Sequence, residues 1–320
     1  MSNHSTATTT TASLPQLQHD LCLADGGLET TLIFEEGLDL PDFASFHALE
    51  SAQGREALRR YYEAYLDVAA RDALPVLFDT ATWRTSADWV ARAGLAIEDV
   101  VRLNTAAVEL LADLRAEHAQ RVPELVISGS IGPRGDGYHP ADLMSAAEAR
   151  HYHALQARAL ADAGVDLVTA ATMTHAGEAI GVVLAAVDAG VPVAISFTVE
   201  TDGRLPCGDT LQAAIEQVDA ATDGAPAYFM VNCAHPTHFA HVLASGQGWT
   251  ERIRGIRANA STMSHEELDN AEELDRGDLV DLGQRYRALR VAQPQLTVLG
   301  GCCGTDHEHI GAISAACRTT

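Results

Sequence analysis

Leu296-Thr297-Val298-Leu299-Gly300-Gly301-Cys302-Cys303-Gly304 ends an apolar run on two adjacent cysteines set between glycines. An apolar β-rich run that stops at a turn reads as a buried strand, and its end is where a parallel α/β fold collects functional groups. Paired thiols at such a place are poor packing filler and read as metal ligands. A second run, Tyr228-Phe229-Met230-Val231-Asn232-Cys233, also ends on a cysteine. Thiolates from Cys233, Cys302 and Cys303 would hold a zinc ion with its fourth position open to chemistry.

Upstream, the same pattern recurs. Short β-rich runs at 21–24, 76–78, 125–128, 167–170, 193–197, 228–231, 253–258 and 296–299 alternate with longer amphipathic segments. In one of these, Leu58, Tyr61, Tyr62, Tyr65, Leu66 and Ala69 fall at i, i+3, i+4, i+7, i+8 and i+11, which marks one face of a helix. Leu279, Leu282, Tyr286 and Leu289 repeat the pattern before the last run. The runs are near-continuously apolar, as strands of a parallel sheet covered on both faces should be. Eight such units predict α/β architecture, a single (β/α)8 TIM barrel, rather than an open doubly wound sheet. Residues 1–17 read as a disordered tail and 18–320 as the barrel.

Polar groups gather where the predicted strands end. They are Asp25-Gly26-Gly27, Asp79-Thr80, Gly129-Ser130-Ile131-Gly132-Pro133, Thr172, Cys233, Asn259 with Ser261, and Cys302-Cys303. The sixth and eighth strands lie two strand spacings apart, roughly 10 Å, so inward side chains from both can converge on one ion.

Composition narrows the partners. With 44 acidic against 21 basic residues the formal charge is −23. That field repels polyphosphates and anionic lipid surfaces, so neither nucleic acid nor membrane is an expected partner. Small molecules are. The first residues carry no basic stretch followed by an apolar one, which argues against a signal peptide, and no run approaches the roughly 20 apolar residues of a spanning helix. A cytoplasmic protein is expected, with oligomeric state open. Six cysteines in 320 residues are too sparse for a disulfide scaffold. Zinc held by three thiolates is a weak activator of water but suits a thiol substrate, whose pKa it lowers. Alkyl transfer to sulfur follows as the chemistry.

Together, Asp25-Gly26-Gly27, Val231-Asn232-Cys233 with Pro236, and Gly300-Gly301-Cys302-Cys303-Gly304 resemble the homocysteine S-methyltransferase family over nearly the whole chain. The resemblance implies a barrel whose zinc is held by Cys233, Cys302 and Cys303. It also implies methylation of homocysteine to methionine by a small onium donor such as betaine, S-methylmethionine or S-adenosylmethionine. By the same resemblance Asp25 helps hold the amino acid, with Gly26 and Gly27 letting backbone N–H groups approach its carboxylate. One position departs. Where the family commonly places Glu-Thr after the fourth strand, this chain reads Ala170-Ala171-Thr172-Met173. A different thiol or a selenol is therefore an alternative acceptor, and a zinc- or redox-sensing barrel is the non-catalytic alternative.

The remaining candidates carry two readings each. Trp83 stands at the second strand's end, placed either to face an onium donor or to pack its loop. Asn232 would touch substrate or steady the adjacent ligand, though strand alternation turns it away from Cys233. Thr172, Asn259 and Ser261 would line the pocket or cap their loops. Glu178 on the next helix could replace the missing acid and otherwise reads as a helix-surface residue, as do His151 and His153. His307 and His309 fall where a helix should begin; either could close the metal site as a fourth ligand. Cys22, Cys207 and Cys317 read as ordinary thiols. The acidic stretch 265–275 is expected to be a solvated segment or a lid.

Overall fold

The computed structural model describes residues 14–318 apart from 139, 141, 142, 245–247 and 272. Eight parallel strands close on themselves in chain order. They are β1 (Cys22–Ala24), β2 (Val76–Asp79), β3 (Leu125–Ile131), β4 (Leu167–Met173), β5 (Val193–Phe197), β6 (Tyr228–Asn232), β7 (Ile253–Ala258) and β8 (Val298–Gly301). Around them run α1 (Leu28–Phe34), α2 (Ala52–Asp72), α3 (Ala87–Arg92), α4 (Glu98–Glu117), α5 (Ala146–Ala163) and α6 (Ala176–Ala189). The circuit is completed by α7 (Leu211–Thr222), α8 (Pro236–Leu243), α9 (His265–Asp269), α10 (Leu279–Ala292) and α11 (His307–Cys317). The predicted single (β/α)8 barrel is the observed fold, and each predicted run contains or overlaps its strand. The expected tail lies largely outside the described residues, at 1–13. Its last part does not fit a disordered reading, because Pro15–Leu17 forms a 3₁₀ turn with Leu14 and Gln16 buried. The Gln16 amide lies 3.3 Å from the Tyr228 hydroxyl at the base of the barrel.

Two cores follow from the strand period of two. Residues pointing outward, such as Leu23, Val76, Phe78 and Ile127, pack against helices such as α2, whose Leu58, Tyr61, Tyr62, Tyr65 and Leu66 are buried. Inward residues near the strand starts form a separate apolar plug of Cys22, Leu77, Val126, Leu167, Ala194, Tyr228, Met230 and Val298. Further along the same inward faces the side chains become polar: Asp79, Ser130, Thr169, Ser196, Asn232 and Arg257 all line one cavity. Each strand thus changes from core to site over a few residues, which places the chemistry at the carboxyl ends.

Two surface readings, those of Glu178 and His153, are corrected by burial, and that of His151 holds. Glu178 is buried, not on a helix surface, and its Oε1 lies 3.0 Å from His153 Nε2 and accepts from Arg134 N at 2.7 Å. His175 approaches the other oxygen at 3.6 Å. His153 is buried while His151 is exposed, because α5 turns only one of them toward α6. Although burial pushes the Glu178 carboxyl up, the hydrogen bonds from His153 and His175 outweigh it and hold the group at about 2. A carboxyl held below its ordinary 4.5 stabilises the fold above that pH, and the gain is lost as pH falls toward 2. Thermal unfolding should therefore show a stability loss on the order of 3 kcal/mol over that window, reduced in Glu178→Gln. An identical acid profile in both proteins would contradict this reading.

Candidate active site

Both cysteine-bearing loops are locked by backbone bonds to neighbouring strands. Cys302 N donates to Ala258 O at 2.8 Å, and Gly301 N donates to Asp25 O at 2.8 Å. Gly304, at φ 77°, turns the chain into α11. Gly27 packs so closely on this loop that an added Cβ would stand 2.6 Å from the Cys302 carbonyl oxygen, which is why glycine is required there. On the other side Cys233 adopts φ 53° and donates its N–H to Arg257 O at 3.1 Å. The sulfurs of Cys233, Cys302 and Cys303 all lie within 4.8 Å of one another. Cys233 and Cys302 are joined through sulfur with Cα atoms 5.4 Å apart, and Cys303 stands beside them as a free thiol. Reduced, the three offer a compact, soft, all-sulfur donor set that fits zinc. Burial pushes the Cys303 thiol up to about 11, against the hydrogen bond it shares with Tyr138.

All the residues singled out for metal or substrate line one cavity of about 410 Å³: Asp25, Gly26, Gly27, Trp83, Thr172, Asn232, Cys233, Cys302 and Cys303. Asn259 is buried outside it, whereas Ser261 reaches it. His309 is tied to the Asp306 cap of α11 at 2.8 Å and to Arg276 O, and His307 is exposed. Neither stands with the sulfurs. Cys22 and Cys317 are buried and Cys207 half-buried, and none of the three is in a disulfide.

Beneath the cavity lies a charged group that the apolar reading of β7 passed over. Arg257 Nη2 donates to Asp25 Oδ1 at 2.5 Å, Nη1 to Asp79 Oδ2, and Nε to Gly301 O at 3.2 Å. Tyr61 Oη lies 3.2 Å from Asp25 Oδ2. One guanidinium therefore ties β7 to β1, β2 and β8 across the barrel, so Asp25 is already ion-paired. Burial raises the Asp25 carboxyl, with Arg257 opposing and Asp79 reinforcing the shift. Gly27 N–H is likewise spent, on Thr305 O at 2.9 Å.

Asn232 is held by protein at both ends of its amide. Its Oδ1 accepts from Thr172 N at 3.0 Å and Ser196 Oγ at 2.6 Å, and its Nδ2 donates to Thr172 Oγ1 at 2.8 Å. These bonds hold Thr172 at φ 61°, a backbone state that a β-branched residue rarely adopts. Strand alternation was expected to separate Asn232 from Cys233. Both line the cavity instead, because the left-handed turn at Cys233 breaks the pleat.

The rim comes from two long loops. Tyr138, after β3, stacks on His265 of α9 with ring centres 3.9 Å apart, and its hydroxyl lies 3.8 Å from Cys303 Sγ. His265 Nε2 donates to the Cys233 carbonyl at 2.7 Å. The acidic stretch is therefore more than a solvated segment: His265 is buried, and Leu268, Asp269, Glu273 and Asp275 line the cavity. Trp83 lines it too, but Arg84 already stands over its ring at 4.8 Å, and its Nε1 donates to Ala171 O at 3.3 Å.

The family model of homocysteine S-methyltransferase matches residues 22–317. No curated protein sequence matches the chain significantly. Among solved structures, the homocysteine methyltransferase MmuM from Escherichia coli superimposes in three forms. The oxidized form gives a TM-score of 0.73 at 24% identity, covering 93% of this chain and 96% of that one. The metallated form gives 0.72 at 24% identity with the same coverage. The apo form gives 0.67 at 23% identity, covering 96% and 100%.

Proposed function

Since the chain belongs to the homocysteine S-methyltransferase family and is a methyltransferase of that kind, we propose that its cavity methylates the thiol of homocysteine, giving methionine, with a small onium compound as donor and zinc as cofactor. The observation that carries this reading is the meeting of three sulfurs from two strand ends on one cavity wall. Bound by Cys233, Cys302 and Cys303, zinc would supply the Lewis acidity that keeps a substrate sulfur ionised near neutral pH.

The chain's own groups do the rest. Asp25, Arg257 and Tyr61 fix the floor, so the acceptor meets a rigid surface rather than mobile side chains. The rim acids Asp269, Glu273 and Asp275, within a chain of charge −23, favour a cationic donor over an anionic one. The stacked rings of Tyr138 and His265 stand against Cys303 and Cys233, where they would limit competing attack by water. In the transfer, the acceptor sulfur forms a bond to the methyl carbon as the carbon–onium bond breaks. The departing electron pair neutralises the donor's positive charge. No helix among the described residues is long and apolar enough to cross a membrane, and both substrates are taken to be small dissolved molecules.

A product assay tests this reading: homocysteine with betaine, S-methylmethionine or S-adenosylmethionine in turn, scored for methionine. Methionine formed from one donor is the expected result. No product from any of the three, with the protein folded and zinc-loaded, would sink the proposal.

A further inference from the structure

Any thiol amino acid brings an ammonium group into this cavity, and the wall offers few places for it. Asp25 and Asp79 share the Arg257 guanidinium. At the end of β4 the wall is Ala171 and Thr172, both uncharged. Glu29 differs. It is the second residue of α1, just past the Asp25-Gly26-Gly27 turn, and it lines the same cavity half-buried. None of the ion pairs among the described residues involves it, the cations nearest in effect being Arg84 and Arg257. Its chain neighbour Thr30 accepts from Gly304 N at 3.3 Å, one residue beyond Cys303. Burial raises the Glu29 carboxyl above the ordinary range, so an arriving cation gains by restoring its ionised form.

We propose that Glu29 is the specificity-determining acid of the cavity, accepting hydrogen bonds from the ammonium group of a thiol amino acid whose sulfur is directed at Cys233, Cys302 and Cys303. The assignment rests on the thiol-methylation reading and names the residue that selects the acceptor. The acceptor rather than the donor is the partner for a geometric reason. Glu29 is flanked by Gly27, which packs against the Cys302 carbonyl, and by Thr30, whose Oγ1 accepts from Gly304 N, so it stands beside the loop that carries two of the three sulfurs and hence beside the acceptor's thiol.

The test compares kcat/KM for homocysteine and for 4-sulfanylbutanoate, the same thiol acid without its amino group, using one onium donor in the wild-type protein and in Glu29→Gln. The wild type should prefer homocysteine. In the variant, homocysteine should lose roughly 10- to 100-fold while 4-sulfanylbutanoate changes little, as expected for one charge-assisted hydrogen bond. Glu29→Asp, which keeps the charge on a shorter arm, should retain part of the preference. Calorimetric binding of methionine should weaken by a similar factor in Glu29→Gln, a readout independent of turnover. Equal losses for both acceptors, an unchanged preference, or a higher donor KM with acceptor preference intact would each overturn the assignment. So would a wild type that methylates 4-sulfanylbutanoate as well as homocysteine. A wild type inert toward both thiols would overturn the methylation reading with it.

Discussion

Replacing Cys303 with alanine is expected to abolish metal retention and turnover together. Cys303 sits within 4.8 Å of the other two sulfurs, on the β8 loop, and is half-buried with its sulfur beside Tyr138. Two thiolates alone make an incomplete set for zinc, which in catalytic sites takes three protein ligands. The loss in kcat/KM should reach at least about 10³-fold, equivalent to roughly 4 kcal/mol of transition-state stabilisation. Stability should change little by comparison, since the loop around Cys303 is held by backbone bonds from Gly301, Cys302 and Ala260 that alanine leaves intact. Metal content by mass spectrometry, a methyl-transfer assay and thermal unfolding on the same preparation separate these effects. Full activity with zinc retained would show that Cys303 is not a ligand.

The second large effect concerns stability. Arg257→Met should destabilise the barrel by about 3–5 kcal/mol, because it strands the buried carboxylate of Asp25 and the half-buried one of Asp79 without a counter-ion. For a chain of this size that corresponds to a fall in Tm of roughly 4–8 °C. Lysine should rescue poorly, since a point charge cannot serve two carboxylates and the Gly301 carbonyl as the planar guanidinium does. The pH dependence follows from the sign of the shift. Loss of Arg257 removes the attraction that opposes burial at Asp25 and raises that carboxyl further, so the deficit should grow as pH rises through about 7, where Asp25 ionises in the wild type, and be smaller in acid. A deficit below about 1 kcal/mol that does not vary with pH would mean that the ion group contributes little to the fold.

Much of the architecture was legible in the sequence because each strand is apolar on both faces and ends abruptly on a polar group or glycine. The pattern at 296–304 illustrates this: Val298–Gly301 forms the last strand, and both thiols fall just beyond it. What escaped depended on long-range contacts. Arg257 lies among Ile253, Ile256 and Ala258 and was absorbed into an apolar run, yet a charge on the inward face was the available signal. Its partners Asp25 and Asp79 are far away in the chain, so no local spacing reveals the group. Glu178 and His153 looked like helix-surface residues because an acid and an imidazole on adjacent helices give no sign that they face one another. The acidic stretch looked solvated by composition, but a buried His265 anchors its start to Cys233. Asn232 and Cys233 share a cavity only because φ turns positive at Cys233, which strand periodicity cannot anticipate.

The central claim is that Cys233, Cys302 and Cys303 form a metal site with one position open to an incoming thiol. X-ray absorption at the zinc edge, on the reduced and loaded protein with and without homocysteine, measures this directly. The account predicts three sulfur scatterers and one lighter atom without homocysteine, and four sulfurs with it. A shell that homocysteine leaves unchanged, or one holding fewer than three protein sulfurs, would contradict it.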